Sequence, residues 1–214
     1  MIRCLLVDDH PVVRAGYGRL LEMAGMTVVA EAGDVDRGYA AFAAHQPDVT
    51  ICDWSLPGAS GLALVRRIRA QRAAAPVLVF SMLEAALAVP RARAARANGF
   101  VGKDNPPETL VKAVRAVRGG GEWWPALPPS VDEGWRNAEL QRLSERELEV
   151  MRLLALGRSP EDCAAALHLS RKTVANYQTQ IRDKLGIGNA AGLVHFAQRC
   201  GLLGPAAWAD VAID

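Results

Sequence analysis

Residues 49–61 read VTICDWSLPGASG, and their order of apolar, acidic and turn residues sets the architecture of the first half of the chain. Residues 49–52 form a short apolar run of buried-strand length that stops on Asp53. Pro57-Gly58 then marks a turn. Three other apolar runs end in the same manner. Residues 2–7 end at Asp8-Asp9, residues 77–80 end at Ser81, and Phe100-Val101 runs through Gly102 to Lys103. Helical patterns fall between the strand-like segments, at about 12–23, 34–45, 62–70, 84–97 and 107–118. The alternation predicts an α/β fold, a doubly wound sheet of five parallel strands covered on both faces through right-handed crossovers. Pro90, inside the fourth helical pattern, predicts a kink or a late start there.

In an open parallel sheet the strand C-termini share one edge, where binding sites form. Asp8, Asp9, Asp53, Ser81 and Lys103 all fall on it. Singly, each has an ordinary reading: a cap, a turn serine, a surface lysine. Together they do not. Three carboxylates at one edge repel one another unless a hard cation joins them, and all-oxygen ligation suits Mg²⁺. A hydroxyl and a lysine beside them can hold the oxygens of an incoming phosphoryl group. The pattern points to placing phosphate on a carboxylate.

The motifs Asp8-Asp9, "DWSLPGASG" at 53–61, "SMLEAA" at 81–86 and "GFVGKD" at 99–104 resemble the receiver domain of two-component response regulators. The resemblance covers residues 1–121 and implies a flavodoxin-like fold. It makes Asp53 the phosphoacceptor, with Asp8, Asp9, Asp53 and the backbone carbonyl of Ser55 holding Mg²⁺. Ser81 becomes the switch hydroxyl, Phe100 the aromatic that rotates with it, and Lys103 the phosphoryl-contacting lysine. Gly102 departs from the pattern, which has a bulky apolar residue there.

Composition is that of a folded protein: 50% of the 214 residues are hydrophobic and 22% charged. Neither a membrane-length apolar stretch nor an export signal is read, so a cytoplasmic location is expected. Cys4, Cys52, Cys163 and Cys200 are widely spaced without metal-ligand spacing and are expected to be buried free thiols. Residues 1–121 carry 15 Lys/Arg against 11 Asp/Glu. Arg66, Arg67, Arg69, Arg91, Arg93 and Arg96 contribute to that excess, and the phosphorylation reading gives them no use.

Residues 122–141, with Pro125, Pro128, Pro129 and excess acid, read as an interdomain linker. Trp123, Trp124 and Trp135 within it have acidic rather than basic neighbours, so domain packing is expected, not base stacking. Beyond the linker, residues 142–203 form an all-α pattern of four helices, and 204–214 a C-terminal tail. Ser144-x-x-Glu147 is a capping box, Ser159-Pro160 opens a second helix, Ser170 caps a third, and Ala190–Arg199 is a fourth. Helix, short turn and capped helix make a helix-turn-helix.

"LSERELEVMRLLALG", "LHLSRKTVANYQTQIRDKLG" and "GLVHFAQRCGLL" resemble the LuxR-type DNA-binding domain, and with the receiver they place the chain near the NarL/FixJ family. The resemblance implies a recognition helix whose DNA-binding candidates are Arg171, Lys172, Thr173, Asn176, Thr179, Gln180 and Arg182. Asn176 and Gln180 suit base edges, and Lys172, Thr173 and Arg182 suit phosphates. Ala175 stands where relatives often carry a basic residue.

The reading is a sequence-specific transcription regulator controlled by phosphorylation of Asp53, catalysing only its own phosphorylation and dephosphorylation. Implied partners are a histidine kinase, double-stranded promoter DNA, a second copy on activation and RNA polymerase, with no membrane. Two alternatives stand beside it. One is a phosphorylation-independent regulator using the receiver to dimerise or bind a ligand; the other is a protein-binding adaptor. A haloacid-dehalogenase-like phosphatase would begin with Asp-x-Asp, whereas here Asp8 and Asp9 are adjacent.

Overall fold

The structure is a computed structural model and describes residues 1–127 and 139–200. Trp135 and the tail beyond residue 200 lie outside the described residues. The chain divides into two compact units, Met1–Ala126 and Leu127–Asp214.

In the first unit, β1 (Arg3–Val7), α1 (Pro11–Met23), β2 (Thr27–Ala32), α2 (Val35–His45) and β3 (Val49–Asp53) come first. A two-residue hairpin follows, β4 (Ser55–Leu56) and β5 (Ala59–Ser60), closed by Gly58 in the left-handed conformation. Then come α3 (Gly61–Gln71), β6 (Val77–Ser81), α4 (Ala85–Ala94), β7 (Gly99–Gly102) and α5 (Glu108–Arg118). The five long strands pair in parallel in the order β2-β1-β3-β6-β7.

Strand residues alternate between two apolar layers, because successive side chains leave opposite faces. Leu5, Val7, Cys52, Val77 and Val79 face a layer built with Phe42 of α2, Ile68 of α3 and Ala92 of α4. Cys4, Leu6, Ile51, Leu78 and Phe80 face one built with Leu21 of α1 and Val114 of α5. The sequence order turns at β1, whose neighbours are β2 and β3. That switch point opens a crevice at the strand ends.

Local chemistry starts the helices. Pro11 begins α1, Asp34 caps α2 by accepting the Arg37 amide, and Ser60 caps α3 through the Leu62 amide. The fourth helix corrects the sequence expectation of 84–97. It starts at Ala85, so Pro90 does not delay it, and it stops at Ala94. Arg96 adopts a left-handed φ of 66°, and the Ala97 amide closes back on the Ala92 carbonyl at 2.9 Å.

The described part of the second unit contains α6 (Glu145–Ala155), α7 (Pro160–Ala166), α8 (Arg171–Leu185) and α9 (Ala190–Arg199). Both halves of the Ser144/Glu147 capping box are present, and Ser159 and Ser170 cap the next two helices. His168 turns left-handed between α7 and α8 (φ 52°), which makes it a turn residue. Val174 and Ile181 of α8 are buried, as are Leu148 and Met151 of α6, and all four cysteines are buried free thiols. Among the described residues, no helix is long and apolar enough to cross a membrane.

Candidate functional site

Pairing across the sheet assembles the acidic edge. Val7 lies opposite Cys52 on neighbouring strands, so Asp8 and Asp53, the next residue on each, end side by side. Both are nearly enclosed, 5% and 4% exposed. Ser81 closes β6 and lies opposite Gly102 of β7, and the Lys103 amide donates to the Ser81 carbonyl at 2.8 Å. From there the Lys103 Nζ reaches Oδ2 of Asp8 and Oδ2 of Asp53, each at 2.7 Å.

The second oxygens are also engaged. Asp8 Oδ1 accepts the His10 amide at 2.8 Å, and Asp53 Oδ1 accepts the Ser55 amide at 3.3 Å. Ser81 Oγ accepts the Leu83 amide at 3.0 Å. Burial pushes the Asp53 carboxyl above its ordinary range; Lys103 opposes that rise and Asp8 adds to it. Burial also disfavours charge on Lys103, but the two carboxylates outweigh it and hold the ammonium above its usual value.

With all three carboxyls ionised, Lys103 supplies one ammonium against three carboxylates at this edge. One ligand atom each from Asp8, Asp9, His10 and Asp53 lies within 4.8 Å of the others. That donor set, rich in carboxylate oxygen, fits a divalent cation.

Phe100 is 2% exposed and packs in the same apolar layer as Leu83 and Ala88. A cavity of about 110 Å³ lies beside it, lined in part by Met82, Gly102 and Asp104. A Cβ at residue 102 would meet the Asp104 carboxylate, the far end of an exposed side chain that can turn away, so this contact does not by itself require glycine there.

In the second unit, Lys172, Asn176 and Gln180 of α8 are exposed. Spaced by four, they form one stripe along the helix. The other predicted DNA contacts have work within the protein. Arg171 pairs with Glu161 of α7 at 2.6 Å, Thr173 gives its amide to the Ser170 cap, and Thr179 bonds back to the Ala175 carbonyl. Arg182 is half-buried, with its Nε enclosed.

A family model for the response regulator receiver domain matches residues 4–115, and one for bacterial regulatory proteins of the luxR family matches residues 141–197. The chain belongs to the NarL/FixJ-type response regulators. Transcriptional activator protein ExaE of Pseudomonas putida is 38% identical over 207 residues, spanning 93% of this chain and 97% of that protein. Response regulator UvrY of Escherichia coli K12 is 31% identical, spanning 94% of this chain and 96% of its own length. Among solved structures, a LuxR-family two-component response regulator from Aurantimonas sp. SI85-9A1 is 38% identical with a TM-score of 0.56, covering 60% of this chain and 91% of that one. RcsB from Salmonella enterica serovar Typhimurium, bound to promoter P1flhDC with the phosphomimetic BeF3-, is 25% identical with a TM-score of 0.59. It covers 92% of this chain and 98% of that one.

Of the predicted pocket residues, the response regulator brings Asp8, Asp53 and Lys103 into direct contact. Asp9 joins them through its neighbour: the His10 Nδ1 lies 2.7 Å from Asp9 Oδ1. Ser55 enters through its amide. His10 joins the cluster without being marked by the strand-end pattern; its one signal in the sequence is adjacency to the acidic pair.

Proposed function

We propose that Asp53 accepts a phosphoryl group from a partner histidine kinase and that this controls promoter binding through α8. The observation that carries the reading is the Asp53 carboxylate at a strand end, held by Lys103 beside a second buried carboxylate. An Asp53 oxygen attacks phosphorus, forming the acyl phosphate while the phosphorus bond to the donor breaks. Lys103 is placed to transfer its ammonium contact from the carboxylate to a phosphoryl oxygen. Ser81 then turns its hydroxyl from the Leu83 amide to the new acceptor oxygens, and Phe100 repacks beside it.

Asp8, Asp9, Asp53 and the Ser55 carbonyl would hold Mg²⁺, which, when bound, offsets negative charge on the transferring group. Hydrolysis of the acyl phosphate resets the switch.

Lys172, Asn176 and Gln180 present the DNA-facing stripe, with Arg171, Thr173, Thr179 and Arg182 supporting it or contacting the backbone. A helix-turn-helix of this size covers few base pairs, so activation brings two copies onto paired half-sites. RcsB, a relative seen on promoter DNA and as two dimers bound to two parallel DNAs, supports DNA binding by paired copies. RNA polymerase is a further partner at the promoter, and the location is cytoplasmic. Residues 1–121 are the receiver, 122–141 the linker and 142–203 the DNA-binding domain.

Sedimentation of wild type and Asp53→Ala, with and without beryllofluoride and Mg²⁺, tests the reading alongside DNA selection on the same samples. The expected result is that wild type alone dimerises and gains a paired-site preference. Equal dimerisation and equal DNA selection by both proteins without the phosphoryl mimic would replace it with phosphorylation-independent regulation.

A further inference from the structure

Three of the arginines that the phosphorylation site leaves unused, Arg69, Arg93 and Arg96, converge at the other edge of the sheet. Asn98 stands just before β7 and Ala73 shortly before β6, so both lie at the N-terminal strand ends, opposite Asp53. A cavity of about 380 Å³ opens there, lined by Arg69, Arg93, Arg96, Asn98, Glu122 and Trp124 among others.

Its walls are built. Arg69, at the end of α3, donates Nε to the Arg96 carbonyl at 2.6 Å and its other nitrogens to the Ala73 carbonyl and Asn98 Oδ1. Asn98 Oδ1 also accepts the Val77 amide at 2.9 Å, tying the arginine to β6. The Arg93 guanidinium sits 4.3 Å from the centre of the Trp124 ring, and the Trp124 indole N–H donates to Glu122 at 2.7 Å. Trp123 anchors that segment to β7: its carbonyl accepts the Phe100 amide at 2.9 Å, and its amide donates to Asn98 at 3.0 Å.

The charges do not close. Three guanidinium groups line the cavity against one carboxylate, Glu122, which is engaged by the indole N–H. Among the described residues, none of the three arginines forms an ion pair. Elsewhere on this unit arginines do, as in Arg14 with Glu31, Arg67 with Asp36 and Arg118 with Asp48. All three hydrogen bonds of Arg69 go to neutral oxygens, and burial together with the charge of Arg96 lowers its basicity. Arg96 also occupies a left-handed position that glycine adopts without strain.

We propose that this pocket binds a diphosphate group, either as a free oxyanion or as part of a nucleotide. Guanidinium forks match phosphate oxygens, and three of them with one carboxylate suit an anion of more than one charge. The volume exceeds that of a single phosphate. A bound diphosphate would tie the ends of α3 and α4 to residues 122–124, where the chain leaves the receiver.

The test is calorimetric titration of the full chain in EDTA with inorganic pyrophosphate and, separately, with adenosine diphosphate. The indole ¹⁵N–H signal of Trp124, assigned by its loss in Trp124→Phe, locates the binding. Arg96→Gly removes one cation and favours the turn, so it separates lost binding from lost folding. The expected result is one site per chain, a shifted Trp124 indole signal, and affinity lowered at least about tenfold in Arg96→Gly with its thermal midpoint kept or raised. Pyrophosphate binding alone assigns the free oxyanion, and tighter adenosine diphosphate binding assigns a nucleotide. No saturable binding of either at millimolar concentration, unchanged affinity in Arg96→Gly, or binding that leaves the Trp124 indole unmoved would overturn the proposal.

Discussion

The ammonium of Lys103 stands 2.7 Å from Asp8 and 2.7 Å from Asp53, one counter-charge shared by two carboxylates from different strands. Its loss leaves two enclosed carboxylates facing each other, so one must take up a proton or both must find another cation. Lys103→Ala is expected to lose about 3 kcal/mol in urea unfolding with EDTA, the usual scale for breaking a buried pair. Millimolar Mg²⁺ should restore more stability to this variant than it adds to wild type. Equal Mg²⁺ gains in both proteins would show that Lys103 does not balance the cation site.

Gly61 concerns the same edge from behind. Its amide donates to the Trp54 carbonyl at 2.7 Å, and a Cβ here would land on the Asp53 carbonyl and crowd the Cys52 sulfur. The start of α3 can therefore approach the end of β3 only without a side chain. Gly61→Ala is expected to cost about 1–3 kcal/mol, the range for overpacking, and to slow phosphorylation by displacing Asp53. Urea unfolding and the rate of labelling by a small phosphodonor measure the two effects. Unchanged values for both would remove this contact from the account.

The acidic edge was legible in the sequence because buried parallel strands read as unbroken apolar runs, and each run stops on a polar residue. Asp8, Asp53, Ser81 and Lys103 are those stops. The β4–β5 hairpin was not legible beyond its Pro57-Gly58 turn, since two residues per strand carry no periodicity. The end of α4 was overrun because the left-handed turn that usually shows as glycine is occupied by Arg96. The Arg171–Glu161 pair was hidden for another reason. It joins residues on two helices, and only their packing decides that the side chains meet.

In the second unit, Glu147 is 1% exposed and joins two elements. It accepts the Ser144 amide at 2.6 Å and the Lys184 ammonium at 2.6 and 2.8 Å, linking the start of α6 to the end of α8. Burial works to raise its carboxyl, but the hydrogen bonds from Lys184 and Ser144 outweigh burial and hold it below the ordinary carboxylate range. A folded-state value below the unfolded one means the contribution is fully present above the unfolded value, about 4.3. It is lost as pH falls through the depressed value. Glu147→Gln should therefore exchange α6 amides faster at neutral pH, by a local loss of about 1–2 kcal/mol. The gap to wild type should close on acidification. A gap constant from neutral to acid pH would show that ionised Glu147 contributes nothing to the difference.

Lys172, Asn176 and Gln180 form one exposed stripe on α8, whereas Arg171 is already paired with Glu161. The two kinds of contact separate by salt and by sequence. Lys172→Ala should weaken binding to all DNA sequences alike and reduce the slope of log affinity against log salt by about 1. Asn176→Ala should leave that slope in place, cost about 1–3 kcal/mol on the selected site, and relax the base preference at one position per half-site. Arg171→Ala should cost less than Lys172→Ala, because Glu161 already offsets its charge. Affinities over a salt series, on selected and scrambled duplexes, measure all three. If Arg171→Ala proved the most damaging and removed the salt slope, the DNA-facing stripe would have to be moved toward the N-terminus of α8.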